Sequence, residues 1–157
     1  MTPSKTVQVQ LTRFFAASAE RVFDAWLSPE TLGRWMWGPG VRDEEVLHLR
    51  LEARVGGGFS FLVRRKGQDI DHVGTYLELD RPQRLVFTWA IREETMNAED
   101  ISRVTLDIQP RDSGCELTLT HVMSDKWAEY ADRTQAGWAT MLTTLAREVA
   151  VEASRHG

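Results

Sequence analysis

The sequence predicts an α+β fold in which a curved antiparallel sheet wraps around a long C-terminal helix, and three patterns predict it. Residues 127–150 repeat apolar side chains at three- and four-residue steps, the period of an amphipathic helix. Residues 44–121 switch to a period of two through five or six runs, each bounded by turn chemistry. A single alternating run at 7–12 and two short helical segments precede them. Antiparallel strands that are apolar on one side need a cover, and the terminal helix carries the matching stripe.

VQVQLT, residues 7–12, sets Val7, Val9 and Leu11 against Gln8, Gln10 and Thr12, a half-buried strand. Ser18 then caps a helix with Val22, Phe23, Ala25 and Trp26 on one side. Ser28 and Pro29 read as the cap and first turn of a second helix that ends at Trp35. Gly38, Pro39 and Gly40 mark a loop. Val46–Ala53 is the next strand, and Gly56, Gly57 and Gly58 bend or bulge the chain into Phe59, Phe61 and Val63. Gly67 turns it into Val73–Leu79, and Asp80, Arg81 and Pro82 turn it into Leu85, Phe87, Trp89 and Ile91. After an acidic loop at 92–100, Val104, Leu106 and Ile108 alternate with polar neighbours. Asp112, Ser113 and Gly114 lead into Cys115, Leu117, Leu119 and His121.

The long helix completes the chain. Trp127, Ala131, Thr134, Trp138, Met141, Leu142, Leu145 and Val149 share its apolar side. At 1.5 Å per residue it reaches about 36 Å, enough to cross a small domain. Gly137 interrupts good helix chemistry, and two readings stay open: close contact with the sheet, or a division into two helices.

A chain of 157 residues is sized for one domain, taken here as 1–157. A net charge of −4 supplies no basic field, which argues against nucleic acid as a partner. Cys115 is the only cysteine, which excludes an intrachain disulfide and a thiolate cluster and points to a reducing compartment. With no apolar leader or membrane-length run, the expected setting is the cytoplasm, with no membrane partner.

Phe59, Phe61, Phe87, Trp89, Trp138 and Met141 fall on the faces that point inward, and Trp35 and Trp37 lie near the mouth loop. Such residues line a ligand cavity or simply fill a core, and periodicity does not separate the two. Parity carries His121 inward beside Leu117 and Leu119, where it either meets a ligand or makes a structural hydrogen bond. His48 shares a strand face with Arg50 and reads as solvated, and His72 lies near a turn. No His or Cys spacing builds a metal site, and no cofactor is expected. Glu93, Glu94, Glu99 and Asp100 read as solvated charge. Gly56–Gly58 lack the lysine and helix of a phosphate loop, and Cys115 reads as inert packing.

Several stretches together resemble the activator of Hsp90 ATPase homolog 1-like (AHSA1-like) family of the START-related (SRPBCC, Bet v 1-like) helix-grip superfamily. They are RFFAASAERVFDAWLSPETLGRWMWGPG at 13–40, VGGGFSF at 55–61, GTYLELDRPQRLVFTW at 74–89, ELTLTH at 116–121 and the Gly137–Trp138 pair. No piece is specific alone; their order and spacing carry the resemblance. It implies a helix-grip fold with a cavity, of 300 Å³ or more by the usual scale of ligand sites, between sheet and long helix. It also implies a small hydrophobic or amphipathic ligand, with Trp35, Trp37, Phe59, Phe61, Phe87, Trp89, Trp138 and Met141 as apolar wall and His121 as polar contact. The family also implies a chaperone-associated or stress-response module. Its name-giving activator matches this chain only through a C-terminal domain, which argues against a chaperone partner. The superfamily adds a third reading, a polyketide cyclase or aromatase with His121 as acid or base. No second acid–base group is legible for it, so a non-enzymatic role is expected. A homodimer and the ligand's identity stay open.

Overall fold

The computed structural model describes residues 5–37, 44–92 and 101–156. The Gly38–Pro39–Gly40 loop and the acidic stretch with Glu93, Glu94, Glu99 and Asp100 lie outside them.

The elements come in the expected order: β1 (Thr6–Phe15), α1 (Ala19–Asp24), α2 (Pro29–Trp35), β2 (Glu45–Leu51), β3 (Gly58–Arg65), β4 (Gln68–Asp80), β5 (Arg84–Ile91), β6 (Ser102–Arg111), β7 (Gly114–Ser124), a 3-10 helix (Asp125–Tyr130) and α3 (Ala131–His156). The strands form one seven-stranded antiparallel sheet in the order β1-β7-β6-β5-β4-β3-β2. Five consecutive pairings join β2 through β7, and β1 closes on β7 with Val9 opposite His121 and Leu11 opposite Leu119.

Local chemistry sets the boundaries. The Ser18 hydroxyl accepts from the Arg21 N–H at 3.2 Å and the Ser28 hydroxyl from the Thr31 N–H at 3.3 Å, the two expected caps. Lys66 (φ 51°) and Gly67 (φ 77°) form the two-residue loop between paired Arg65 and Gln68, the left-handed conformation that matches strand twist. Gly56 (φ 86°) donates its N–H to the Tyr76 carbonyl at 2.9 Å, so the glycine run bends back onto β4 as expected. A bulge between Tyr76 and Glu78 brings Tyr76 into the core and leaves Leu77 exposed. Ile91, at the end of β5, is exposed although the three apolar residues before it on its face are not.

The long helix starts later than its pattern predicts. Residues Asp125–Tyr130 form a 3-10 helix capped by the Ser124 hydroxyl, which accepts from the Lys126 N–H at 3.4 Å. Three residues per turn take Trp127 off the α-helical stripe, and its side chain is exposed. From Trp138 onward the prediction holds: Trp138, Met141, Leu142, Leu145 and Val149 are buried against the sheet. Arg13 Nη1 donates to the Thr143 hydroxyl at 3.2 Å, and Arg34 pairs with Glu148, tying α3 to β1 and α2.

Gly137 neither touches the sheet nor divides α3. It is exposed, and a Cβ there would meet nothing within 4 Å. Gly137→Ala is therefore expected to raise stability by about 0.5–1 kcal/mol through helix propensity, read as a higher denaturant midpoint.

Candidate functional site

The inward faces of β3, β4 and β5 meet α1, α2 and α3 in a cluster of aromatic rings. Phe59 stacks on Phe61 at 4.6 Å and meets Phe87 at 5.8 Å and Trp89 at 5.7 Å. Trp37 packs on Phe61 at 6.1 Å and on Trp89 at 6.5 Å, and Trp138 meets Trp89 at 6.1 Å. The structure thus brings Trp37, Phe59, Phe61, Phe87, Trp89 and Trp138 into one connected wall, with Met141 one turn further along α3. Trp35 joins it through Trp26, at 4.6 Å edge to face. Both Trp35 and Trp37 are buried.

Three members of this cluster are not among the predicted site residues. Trp26 comes just after α1 and bridges Trp35, Phe87 (6.3 Å) and Trp138 (5.9 Å). Tyr76 packs on Phe59 at 5.7 Å, and burial pushes its phenol well above the usual range. His72 is buried inside β4, not near a turn; its Nδ1 faces the Phe61 carbonyl at 3.2 Å and its ring lies 4.6 Å from Trp37.

His121 stands where parity places it, and both ring nitrogens are engaged. Trp138 Nε1–H donates to Nδ1 at 3.0 Å, so the neutral ring carries its proton on Nε2. That proton goes to the Ser102 hydroxyl at 2.7 Å, which in turn donates to the Trp89 carbonyl at 3.0 Å. Trp138, His121, Ser102 and Trp89 form one directed relay. Burial pushes the His121 pKa down from 6.5 to about 4.

Between pH 6.5 and about 4 the unfolded chain takes up a proton that folded His121 refuses. The ring's contribution to stability is complete above pH 6.5 and is lost as pH falls through that interval, by up to about 3 kcal/mol for a shift of this size. Stability curves for wild type and His121→Gln, measured by urea unfolding from pH 7 to 4, are expected to converge toward the acid end. Parallel curves would mean that the ring is not held neutral.

Among the described residues, the enclosure is filled. Trp26, Leu32, Met36, Phe59, Phe61, Tyr76, Phe87 and Trp89 surround a void of only about 10 Å³, against the expected 300 Å³ or more. The physical reason is the number of large rings on facing surfaces, which interdigitate at ordinary core density. A roomier space of about 560 Å³ lies on the outer face of the sheet, over Ser60, Thr75, Thr88 and Ala90 between Arg50 and Arg92. Beside it, His48 is half-buried rather than solvated: Nε2 meets the Ser60 hydroxyl at 2.8 Å, and that hydroxyl donates to Asp71 at 2.7 Å. With its proton on the carboxylate, Ser60 is not set up as a nucleophile activated by histidine.

Among the described residues, no three His, Cys, Asp or Glu side chains converge to hold a metal, and no helix is long and apolar enough to cross a membrane. Burial pushes the Cys115 thiol up to about 11, in keeping with inert packing.

A family model described as "Activator of Hsp90 ATPase homolog 1-like protein" matches residues 16–150. Among solved structures, a protein from Chromobacterium violaceum is 28% identical with a TM-score of 0.74, over 90% of this chain and 96% of that one. A Staphylococcus aureus protein of unknown function gives 16% identity and a TM-score of 0.80, over 96% and 98%. An AHSA1-like protein from Aeromonas hydrophila gives 20% identity and a TM-score of 0.72, over 94% of each chain. No curated protein matches the chain.

Proposed function

The chain belongs to the AHSA1-like family of the helix-grip superfamily, and on that premise we propose that it binds a small hydrophobic or amphipathic molecule between the sheet and α3. The observation that carries this reading is the composition of the enclosure: among the described residues eight line it, five of them Phe or Trp, with Leu, Met and a neutral Tyr, and no charged side chain. Apolar walls with few polar groups are the usual chemistry of small-molecule sites.

Among the described residues, the enclosure holds almost no free volume. A ligand enters by displacing side chains, and Met36, unbranched and at the C-cap of α2, is the lining residue that yields most easily. Trp35, Trp37, Phe59, Phe61, Phe87, Trp89, Trp138 and Met141 supply or back the wall. His121 acts by holding Trp138 and Trp89 in place, and a direct contact with the ligand requires one of its two present bonds to open. A cytoplasmic setting belongs to the same proposal, on the single reduced cysteine.

Native mass spectrometry of the purified protein tests the reading. A bound small molecule, released and identified on denaturation, is the expected result. A bare chain mass, together with indole N–H signals that stay fixed when naphthalene-sized probes are titrated in, would overturn it.

A further inference from the structure

The indole N–H groups of three buried tryptophans, Trp35, Trp138 and Trp26, stand in different settings. Trp35 Nε1–H donates to the Ala25 carbonyl at 3.0 Å and Trp138 Nε1–H to His121 at 3.0 Å. Trp26 is 3% exposed, and its Nε1–H has no acceptor among the described residues. Buried donors are almost always satisfied, because stripping water from one without replacement disfavours the folded chain.

Trp26 has little freedom to correct this. Its ring is fixed edge to face against Trp35, whose own N–H is anchored on the carbonyl of the residue preceding Trp26. Phe87 and Trp138 pack on it at 6.3 and 5.9 Å. The donor is therefore buried and held in orientation, on a residue that lines the internal void. The other lining side chains are Leu32, Met36, Phe59, Phe61, Phe87 and Trp89, with Tyr76 held in its protonated form by burial. Among the described residues, no lining cation could offset a buried anion, and no lining carboxylate a buried cation.

We propose that the molecule taken up here is neutral and largely apolar and carries a hydrogen-bond acceptor, a carbonyl or ether oxygen or a ring nitrogen, that meets the Trp26 indole N–H. This rests on the ligand-binding reading above and narrows it. An ionised fatty acid with its head inside the enclosure is excluded, and a plain hydrocarbon of equal size binds without using the Trp26 N–H.

Three probes of matched size separate the cases: 2-acetylnaphthalene, 2-ethylnaphthalene and 2-naphthoate, titrated by calorimetry. The ketone is expected to bind and the naphthoate to bind most weakly. Trp26→Phe, which keeps the apolar surface and removes the N–H, is expected to lower the ketone-to-ethyl affinity ratio about 10-fold, the scale of one neutral hydrogen bond. In the wild type, the ketone should also move the Trp26 indole proton signal downfield while the ethyl compound does not, a readout that survives if Trp26→Phe fails to fold.

A ratio unchanged by Trp26→Phe, with an unmoved indole proton, overturns the inference and leaves ligand binding standing. A buried water already satisfying the N–H would give that result. Failure of all three probes to bind removes both the inference and the reading beneath it.

Discussion

Trp138→Ala lowers the free energy of unfolding by about 3–5 kcal/mol, the loss expected for a large aromatic truncated in a packed core. The indole is 3% exposed, meets Trp26 at 5.9 Å and Trp89 at 6.1 Å, and donates to His121. Two effects add: a cavity beside Trp26, and a histidine nitrogen left without its donor. Trp138→Phe separates them, because it restores most of the apolar volume but not the hydrogen bond. It is expected to cost about 1–3 kcal/mol. Urea unfolding measures both, and a loss below about 1 kcal/mol for the alanine variant would place the side chain outside a packed core.

Gly74→Ala comes next in size, for the opposite reason. A Cβ at position 74 would lie 1.9 Å from the Thr88 carbonyl oxygen and 2.5 Å from two ring carbons of Phe59, its partner across β3 and β4. The ring can give way; the backbone oxygen of β5 cannot without parting the strands. The Thr75 N–H, bonded to the Thr88 hydroxyl at 2.8 Å, is carried along with that shift. The expected loss is about 3 kcal/mol or more, a fall in melting temperature of roughly 6–12 °C for a chain of this length. A melt within a degree or two of wild type would mean that the two strands do not approach so closely.

Both positions show what the sequence makes legible. Period-two alternation identifies the inward faces of β3 and β5, and three- and four-residue spacing puts Trp138 and Met141 on the buried stripe. The serine caps of α1 and α2 are readable because their partners are three residues away. Tyr76 and His72 escape because β4 begins at Gln68, before its apolar run, and because a bulge after Tyr76 reverses the parity of the rest of that strand. Trp127 is misplaced by its spacing because a 3-10 turn precedes the helix, and a repeat at three- and four-residue steps does not distinguish the two at a helix end.

Hollowness is not legible at all. Inward parity names the side chains that face one another, but whether they fill the space depends on rotamers and strand curvature. His121 illustrates the same limit: its side of the strand comes from alternation, while its two bonds depend on Ser102 and Trp138, which are 19 and 17 residues away.

The pairing of β1 with β7 joins residues about a hundred positions apart, Phe15 with Cys115 and Thr6 with Ser124. On the ribosome, β1 emerges well before its only neighbour in the sheet, while β2 to β7 can zip as successive hairpins. Loop-closure entropy makes the β1–β7 step the slow one. Until it happens, the edge of β7 stands open to strands of other nascent chains, so the interval between synthesis and closure is when this protein is most exposed to misassembly.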